Sequence, residues 1–195
     1  MEIDFIRHTT PQIASGICYG QADIDVADSF EHESSQILNT LKQNKGTNDY
    51  DYIFTSPAKR CHLLAQKINQ HQQTPIELLI RSDLQEINFG DWELRAWDDI
   101  PRTETLPWTE DFIHSRPPQG ECLLDMQTRV HDFLKEILSL DVKYIAVCTH
   151  AGVMRLIAAK YMRIPLAEIF SIELNYGQIM TVTKQLDQIS IRTNS

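Results

Sequence analysis

Short apolar runs recur along the chain at intervals that suit a layered fold. Residues 3–6, 52–55 and 144–149 are apolar and rich in β-branched or aromatic side chains, which is typical of strands buried on both faces. Two later runs, residues 179–183 and 189–192, also fit strands. The pattern therefore predicts a buried sheet.

Helical periodicity occupies the intervals between these runs. It fits residues 28–43 and 121–138, and a helix is also expected after two of the strands. Ser56 is typical of a helix cap and Pro57 of the first helical position, while apolar residues from Val153 onward repeat at helical spacing. Strands that alternate with helices predict an α/β fold, a three-layer α/β/α sandwich with a mostly parallel central sheet.

Residues 88–119 interrupt this alternation. The segment contains four of the eight prolines and all three tryptophans, but no long apolar period. We interpret it as an inserted lid region. Because 195 residues at 42% hydrophobic suffice for one core, and no linker or repeat divides them, we expect one domain spanning 1–195.

Charge and cysteine usage restrict the class of partner. A formal net charge of -9 without a basic run makes nucleic acid an unlikely partner in electrostatic terms. No apolar run reaches the length of a membrane span, and the first residues lack the pattern of a signal peptide. The four cysteines are widely separated, so we expect reduced thiols in a cytoplasmic protein.

Basic side chains follow three of the predicted strands. Arg7 and His8 follow the first strand, Arg60 comes shortly after the second, and His150 directly follows the third. Ligands of open α/β sheets bind at the carboxyl ends of strands, so these four side chains are expected to converge. Two guanidinium groups would repel a metal ion and fit phosphate oxygens, which predicts a phosphate pocket without a metal.

The positive charges of the two arginines also favour a histidine that acts as a nucleophile. Neighbouring arginines lower the pKa of an imidazole, and a neutral imidazole is a nucleophile. We therefore predict that His8 attacks phosphorus, that Arg7, Arg60 and His150 stabilise the charge of the transition state, and that Glu86 supplies the proton for the leaving group. Taken singly, each of these residues is more often structural, and their arrangement at successive strand ends carries the prediction.

At the level of motifs, the chain resembles the histidine phosphatase superfamily, also called the phosphoglycerate mutase-like family. The resemblance covers nearly the whole chain and rests on Arg7-His8, Ser56-Pro57-Ala58-Lys59-Arg60, Leu84-x-Glu86-x-x-x-Gly90-x-Trp92-Glu93, Gly120-Glu121 and Thr149-His150-Ala151-Gly152. It implies His8 as nucleophile, Glu86 as general acid, phosphate contacts from Arg7, Arg60 and His150, and no metal or organic cofactor. The chain departs from the family pattern at Thr9, Pro11 and Ala14, in the expected phosphate-binding loop.

A shorter stretch, Gly16-Ile17-Cys18-Tyr19-Gly20-Gln21-x-Asp23, resembles a loop of α-ribazole phosphatases, which act in assembling the lower ligand of cobalamin. It implies that Tyr19 and Gly20 contact substrate, and Ala151 is expected at the same site. Tryptophans of the lid could stack on an aromatic ring, so Trp92 is a further candidate contact.

These features predict a phosphomonoesterase that acts through a phosphohistidine, with α-ribazole 5'-phosphate as the expected small-molecule substrate. The alternatives are a broad-specificity phosphatase of sugars and small metabolites, a phosphoglycerate mutase, and a binder of phosphorylated ligands without turnover. Glu86 argues against a pure binder, because a carboxylate beside a phosphate dianion would weaken binding. The sequence leaves a homodimer open.

Overall fold

A single six-stranded sheet organises the protein. The computed structural model describes residues 1–46, 49–186 and 188–194. The strands are β1 (Glu2–Arg7), β2 (Tyr52–Thr55), β3 (Leu78–Ile80), β4 (Tyr144–Thr149), β5 (Ile179–Gln185) and β6 (Gln188–Asn194). They are ordered β3-β2-β4-β1-β5-β6, with β1 to β4 parallel to one another, β5 antiparallel to β1 and β6 antiparallel to β5. The predicted mostly parallel sheet is confirmed.

Helices cover both faces of this sheet. They are α1 (Phe30–Lys45), α2 (Lys59–Gln70), α3 (Arg102–Glu110), α4 (Leu123–Leu138) and α5 (Ala151–Met162). Side chains alternate across a strand, so Phe5 joins the core under α4 and α5, while its neighbour Ile6 joins the core under α1 and α2. Both side chains are fully buried. The three-layer α/β/α sandwich is therefore confirmed.

Two local features differ from the prediction. Strand β3 at Leu78–Ile80 was not predicted, because three partly exposed residues at the edge of a sheet give too short a pattern. Helix α2 begins at Lys59 and its N-cap residue is Ala58, so the assignment of Ser56 as the cap was wrong. Instead, the buried Ser56 hydroxyl lies 2.8 Å from Nε2 of His150.

The lid region has a small apolar core of its own. It contains 3₁₀ turns at Gly90–Trp92 and Trp97–Asp99, followed by α3. Cys18, Trp92 and Ile100 are buried there. Aromatic rings pack around them, which fixes the lid against the loop that contains Cys18. None of the helices in the described part of the chain is long and apolar enough to cross a membrane.

Candidate active site

A cleft of about 230 Å³ lies at the carboxyl ends of β1 and β4. Arg7, His8, Glu86 and His150 line it, and the two histidine rings stand 5.2 Å apart between centroids. Parallel pairing of β1 with β4 brings the histidines together, since the His8 amide donates to the Thr149 carbonyl at 3.0 Å. A larger cavity of about 470 Å³ exists between α1 and α2, but none of these four residues lines it.

His8 is held as a neutral ring with one free nitrogen. Its Nδ1 lies 2.7 Å from the Thr9 carbonyl oxygen, and because a carbonyl only accepts, Nδ1 must carry the hydrogen. In the neutral ring, Nε2 then keeps its lone pair. Burial, followed by the charges of Arg60 and Arg7, holds the pKa of His8 well below 6.5, against the opposing effect of the Thr9 hydrogen bond. His8 therefore has a nucleophilic nitrogen at neutral pH.

His150 is also neutral, but both of its nitrogens are engaged. Nη2 of Arg60 lies 3.3 Å from Nδ1, and because a guanidinium only donates, Nδ1 accepts and Nε2 carries the hydrogen. Nε2 then donates to the Ser56 hydroxyl. Complete burial, followed by the nearby His8 and Arg60, lowers the pKa of His150 well below 6.5. Within the part of the chain that the structure describes, the two histidines thus differ, since Nε2 of His8 has no hydrogen bond whereas both nitrogens of His150 are engaged.

The two arginines occupy different depths. Arg7 lines the cleft, and its guanidinium lies 3.9 Å from the centroid of the Tyr176 ring. Arg60 is fully buried behind His150 and donates to the carbonyls of Gly20 at 2.7 Å and Ala22 at 2.8 Å. Within the described residues, Nε of each arginine is buried without a hydrogen-bond partner. Of the two, only Arg7 lines the cleft, so its guanidinium is the one placed to meet an anionic ligand there.

Glu86 is fixed over the first turn of α5. One carboxylate oxygen accepts from the Gly152 amide at 3.0 Å, and the other accepts from the Ile87 amide at 3.0 Å. A Cβ atom at position 152 would lie only 2.1 Å from the Glu86 carboxylate. Gly152 therefore leaves the space that Glu86 occupies. This gives the glycine two residues after His150 a physical role.

The three other predicted substrate contacts, Tyr19, Gly20 and Ala151, differ in whether they line the cleft. Tyr19 and Ala151 line the cleft, whereas Gly20 lies beneath it. A Cβ atom on Gly20 would meet the Ile87 carbonyl at 1.9 Å, so this glycine is required for the close approach of two backbones. Gly20 does not line the cleft, and its carbonyl accepts from Arg60, so its contact with substrate stays a prediction.

Trp92 is likewise displaced from the cleft. Its side chain is fully buried in the lid core, and its indole nitrogen donates to the Glu104 carboxylate at 3.1 Å. The ring packs the lid and does not line the cleft, so a contact of Trp92 with substrate stays a prediction that this position does not favour. The cleft is lined instead by the aromatic side chains of Tyr19, Phe89, Trp108 and Phe170.

Several residues of the site were not found from the sequence. Tyr176 lies 5.6 Å from the His8 ring, and its hydroxyl is 2.7 Å from that of Tyr19. Phe170 lies in the 3₁₀ turn Leu166–Ser171, for which no periodic signal exists. Arg155 also lines the cleft, and it could have been found, since it lies one turn after Ala151 on the same face of a predicted helix.

Comparison with known proteins adds independent findings. The family model "Histidine phosphatase superfamily (branch 1)" matches residues 3–194. The adenosylcobalamin/alpha-ribazole phosphatase of Escherichia coli (strain K12) is 26% identical over 182 residues, which cover 91% of this chain and 87% of that protein. The match to a family model extends over almost the entire chain.

Solved structures are similar in fold. The alpha-ribazole phosphatase from Shigella flexneri has a TM-score of 0.86 at 23% identity, covering 99% of this chain and 95% of that one. A mycobacterial glucosyl-3-phosphoglycerate phosphatase has a TM-score of 0.79 at 17% identity, covering 99% and 96%. The same architecture thus occurs in phosphatases named for different substrates.

Proposed function

Because the chain belongs to the histidine phosphatase superfamily, we propose that it hydrolyses phosphomonoesters through a phosphohistidine formed on His8. The protein is a phosphatase, and the observation that carries the proposed mechanism is the tautomer of His8. Its Nδ1 is committed to the Thr9 carbonyl, which leaves Nε2 as a nucleophile in a cleft that Arg7 makes cationic.

The proposed reaction has two steps. Nε2 of His8 attacks phosphorus, the bond from phosphorus to the ester oxygen breaks, and Glu86 gives a proton to the leaving oxygen. A water molecule then attacks the phosphohistidine, Glu86 takes a proton from it, and inorganic phosphate leaves with His8 restored. Glu86 fits both steps because it lies on the same cleft as His8.

Positive charge around the phosphoryl group is the second requirement. Arg7 lines the cleft, whereas Arg60 lies behind His150, which separates it from the cleft. We propose that Arg7 contacts the phosphoryl oxygens directly, and that Arg60 adds its charge from behind His150 while fixing the loop at Gly20. We further propose that the Nε2 hydrogen of His150 turns from Ser56 to a phosphoryl oxygen when substrate binds.

We propose that the substrate is α-ribazole 5'-phosphate, and that its hydrolysis is a step in cobalamin biosynthesis. The relative from E. coli is named for this substrate. Independently, Phe89, Trp108 and Phe170 form an aromatic wall in the lining of the cleft, and the buried indole N–H of Trp108 has no hydrogen-bond partner among the described residues. An aromatic base with polar atoms could pack on this wall.

The aromatic wall should favour esters that carry an aromatic base over those that do not, without excluding the latter. We expect kcat/KM for α-ribazole 5'-phosphate to exceed that for ribose 5-phosphate by several-fold, since one stacking contact is worth about 1 kcal/mol. Trp108→Leu should reduce this ratio, as measured by steady-state kinetics on both esters. Trp97→Leu is the matched control, because Trp97 stacks on Trp108 in the lid but does not line the cleft. Equal turnover of both esters by the wild-type protein would favour the broad-specificity phosphatase instead.

The proposed mechanism also predicts insensitivity to chelators. Arg7 and Arg60 supply the charge that a metal ion would otherwise provide, and the described residues hold no group of three or more histidine, cysteine or acidic side chains able to bind one. Phosphatase activity should be unchanged after treatment with EDTA, whereas vanadate should compete with substrate. Activity that is lost with EDTA and restored by Mg²⁺ or Zn²⁺ would contradict the proposed pocket.

Two broader assignments accompany this function. We propose a cytoplasmic location, in keeping with four cysteines that are free thiols in the structure. The homodimer left open by the sequence stays a prediction.

A further inference from the structure

An arginine that does not line the cleft binds the backbone on which Glu86 is carried. Arg129 lies on α4, with about a fifth of its side chain exposed. Its five N–H donors are all used: Nη1 binds the carbonyls of Asp83 at 2.9 Å and Gln85 at 2.7 Å, Nη2 binds the Glu86 carbonyl at 3.1 Å and a Glu121 oxygen, and Nε binds the other Glu121 oxygen at 3.2 Å.

The geometry of these bonds is specific to a guanidinium group. Three carbonyl oxygens from one short segment converge on one side of it, while the Glu121 carboxylate occupies the other side. A planar fork can serve both sides at once, which a lysine ammonium cannot. Glu121 also accepts from the Asn88 amide at 2.9 Å, so the pair of Arg129 and Glu121 holds the backbone on both sides of Glu86.

The carboxylate of Glu86 depends on this backbone. Its two oxygens accept from the amides of Ile87 and Gly152, so its position is set by where residues 86 and 87 lie relative to α5. Loss of Arg129 would leave the carbonyls of Asp83 and Gln85 without the donor they have in the described structure, while the Glu86 carbonyl keeps its bond from Gln21, and the segment could shift. A shift of about 1 Å at a catalytic group is enough to reduce its contribution greatly.

We propose that Arg129 is a positioning residue for the general acid, acting on catalysis only through Glu86. The inference rests on the proposed function, because it assigns Arg129 a part in the step in which Glu86 delivers a proton. It differs from a purely structural role in one respect: its loss should affect substrates according to their need for that proton.

The test is to measure kcat of Arg129→Met with two esters, an alkyl phosphate with a poor leaving group and p-nitrophenyl phosphate with a good one. We expect kcat to fall on the order of 10- to 100-fold with the alkyl ester and less than about 3-fold with the aryl ester. Arg81→Met is the matched control. Arg81 is similarly exposed and pairs with the Asp83 and Glu136 side chains, without binding the carbonyls, so its loss should affect both esters equally.

A double variant separates action through Glu86 from an independent effect. Arg129→Met added to Glu86→Gln should cause almost no further loss with the alkyl ester, since the acid is already absent. Multiplicative losses in the double variant, or equal losses of Arg129→Met with both esters, would overturn the inference.

Two further outcomes keep the proposals distinguishable. If Glu86→Gln shows the leaving-group dependence but Arg129→Met does not, only the role of Arg129 fails, whereas absence of that dependence in Glu86→Gln contradicts the proposed function itself. Arg129→Lys serves if the methionine variant does not fold, as judged by circular dichroism. It should show a smaller loss that is still confined to the alkyl ester, and wild-type rates with both esters would overturn the inference.

Discussion

Replacing His8 with alanine is expected to abolish turnover, by roughly 10⁴-fold or more, as the removal of a nucleophile does in other enzymes with covalent intermediates. No neighbouring group can take its place. His150 lies on the same cleft, but its Nδ1 accepts from Arg60 and its Nε2 donates to Ser56. A neutral ring bound in this way has no lone pair to offer phosphorus.

The His8 prediction is tested by trapping the intermediate. Acid quenching would destroy it, so phosphate should be trapped under basic conditions from the wild-type protein, map to His8 by mass spectrometry, and be absent from His8→Ala. His114→Ala is the matched control, because His114 is exposed and pairs only with the nearby Asp111 carboxylate. Undiminished activity in His8→Ala, or label on a serine, would refute the assignment.

Much of the fold could be predicted because the central strands are buried on both faces. The predicted bounds of β2 and β4 match the observed ones, since polar residues directly follow each buried apolar run and so define its end. The edge strand β3 has no such boundary. Ser56 shows a different limit: its sequence suits a helix cap, but burial beside His150 gives its hydroxyl a stronger partner.

The site was predictable to the extent that strand ends determine it. Arg7, His8 and His150 follow parallel strands, so the sheet itself brings them to one edge. No comparable rule predicts which way a side chain points when it lies in a loop or at the start of a helix. Arg60 therefore lies deeper than a direct phosphate contact requires, and Trp92 packs the lid where Trp108 reaches the cleft.

Contacts made across long separations were beyond sequence reasoning altogether. Tyr176 reaches Tyr19 from a loop at the other end of the chain. Arg129 binds Asp83 and Glu86 from a helix whose predicted role was only to cover the sheet. Neither residue shows a periodic or motif signal for the role that its contacts indicate. Such residues can be recognised only when the backbone places their partners.

Glu86 is the residue whose role depends most on the substrate. A leaving group that forms a stable anion departs without a proton, whereas an alkoxide requires one. Glu86 faces the cleft from a segment fixed by Gly152 and Arg129, so a glutamine should occupy nearly the same place with the same size. It would lack the acid and keep the size of the side chain, with one of the two amide hydrogen bonds, because its NH2 group cannot accept the other. Loss of that hydrogen bond should slow all esters alike, whereas loss of the proton should separate esters by leaving group.

Glu86→Gln is accordingly expected to lower kcat by roughly 10²- to 10⁴-fold for alkyl phosphates and much less for aryl phosphates. The measurement is kcat across a series of esters of graded leaving-group pKa, which should give a steeper dependence than the wild-type protein. Glu93→Gln is the matched control: Glu93 carries the same charge in the same segment, but it binds the amides of Gln21 and Phe89 and does not line the cleft. Its loss should affect all esters alike. An equal loss for every ester in Glu86→Gln would instead assign Glu86 to positioning, because a missing proton donor cannot slow a leaving group that needs no proton.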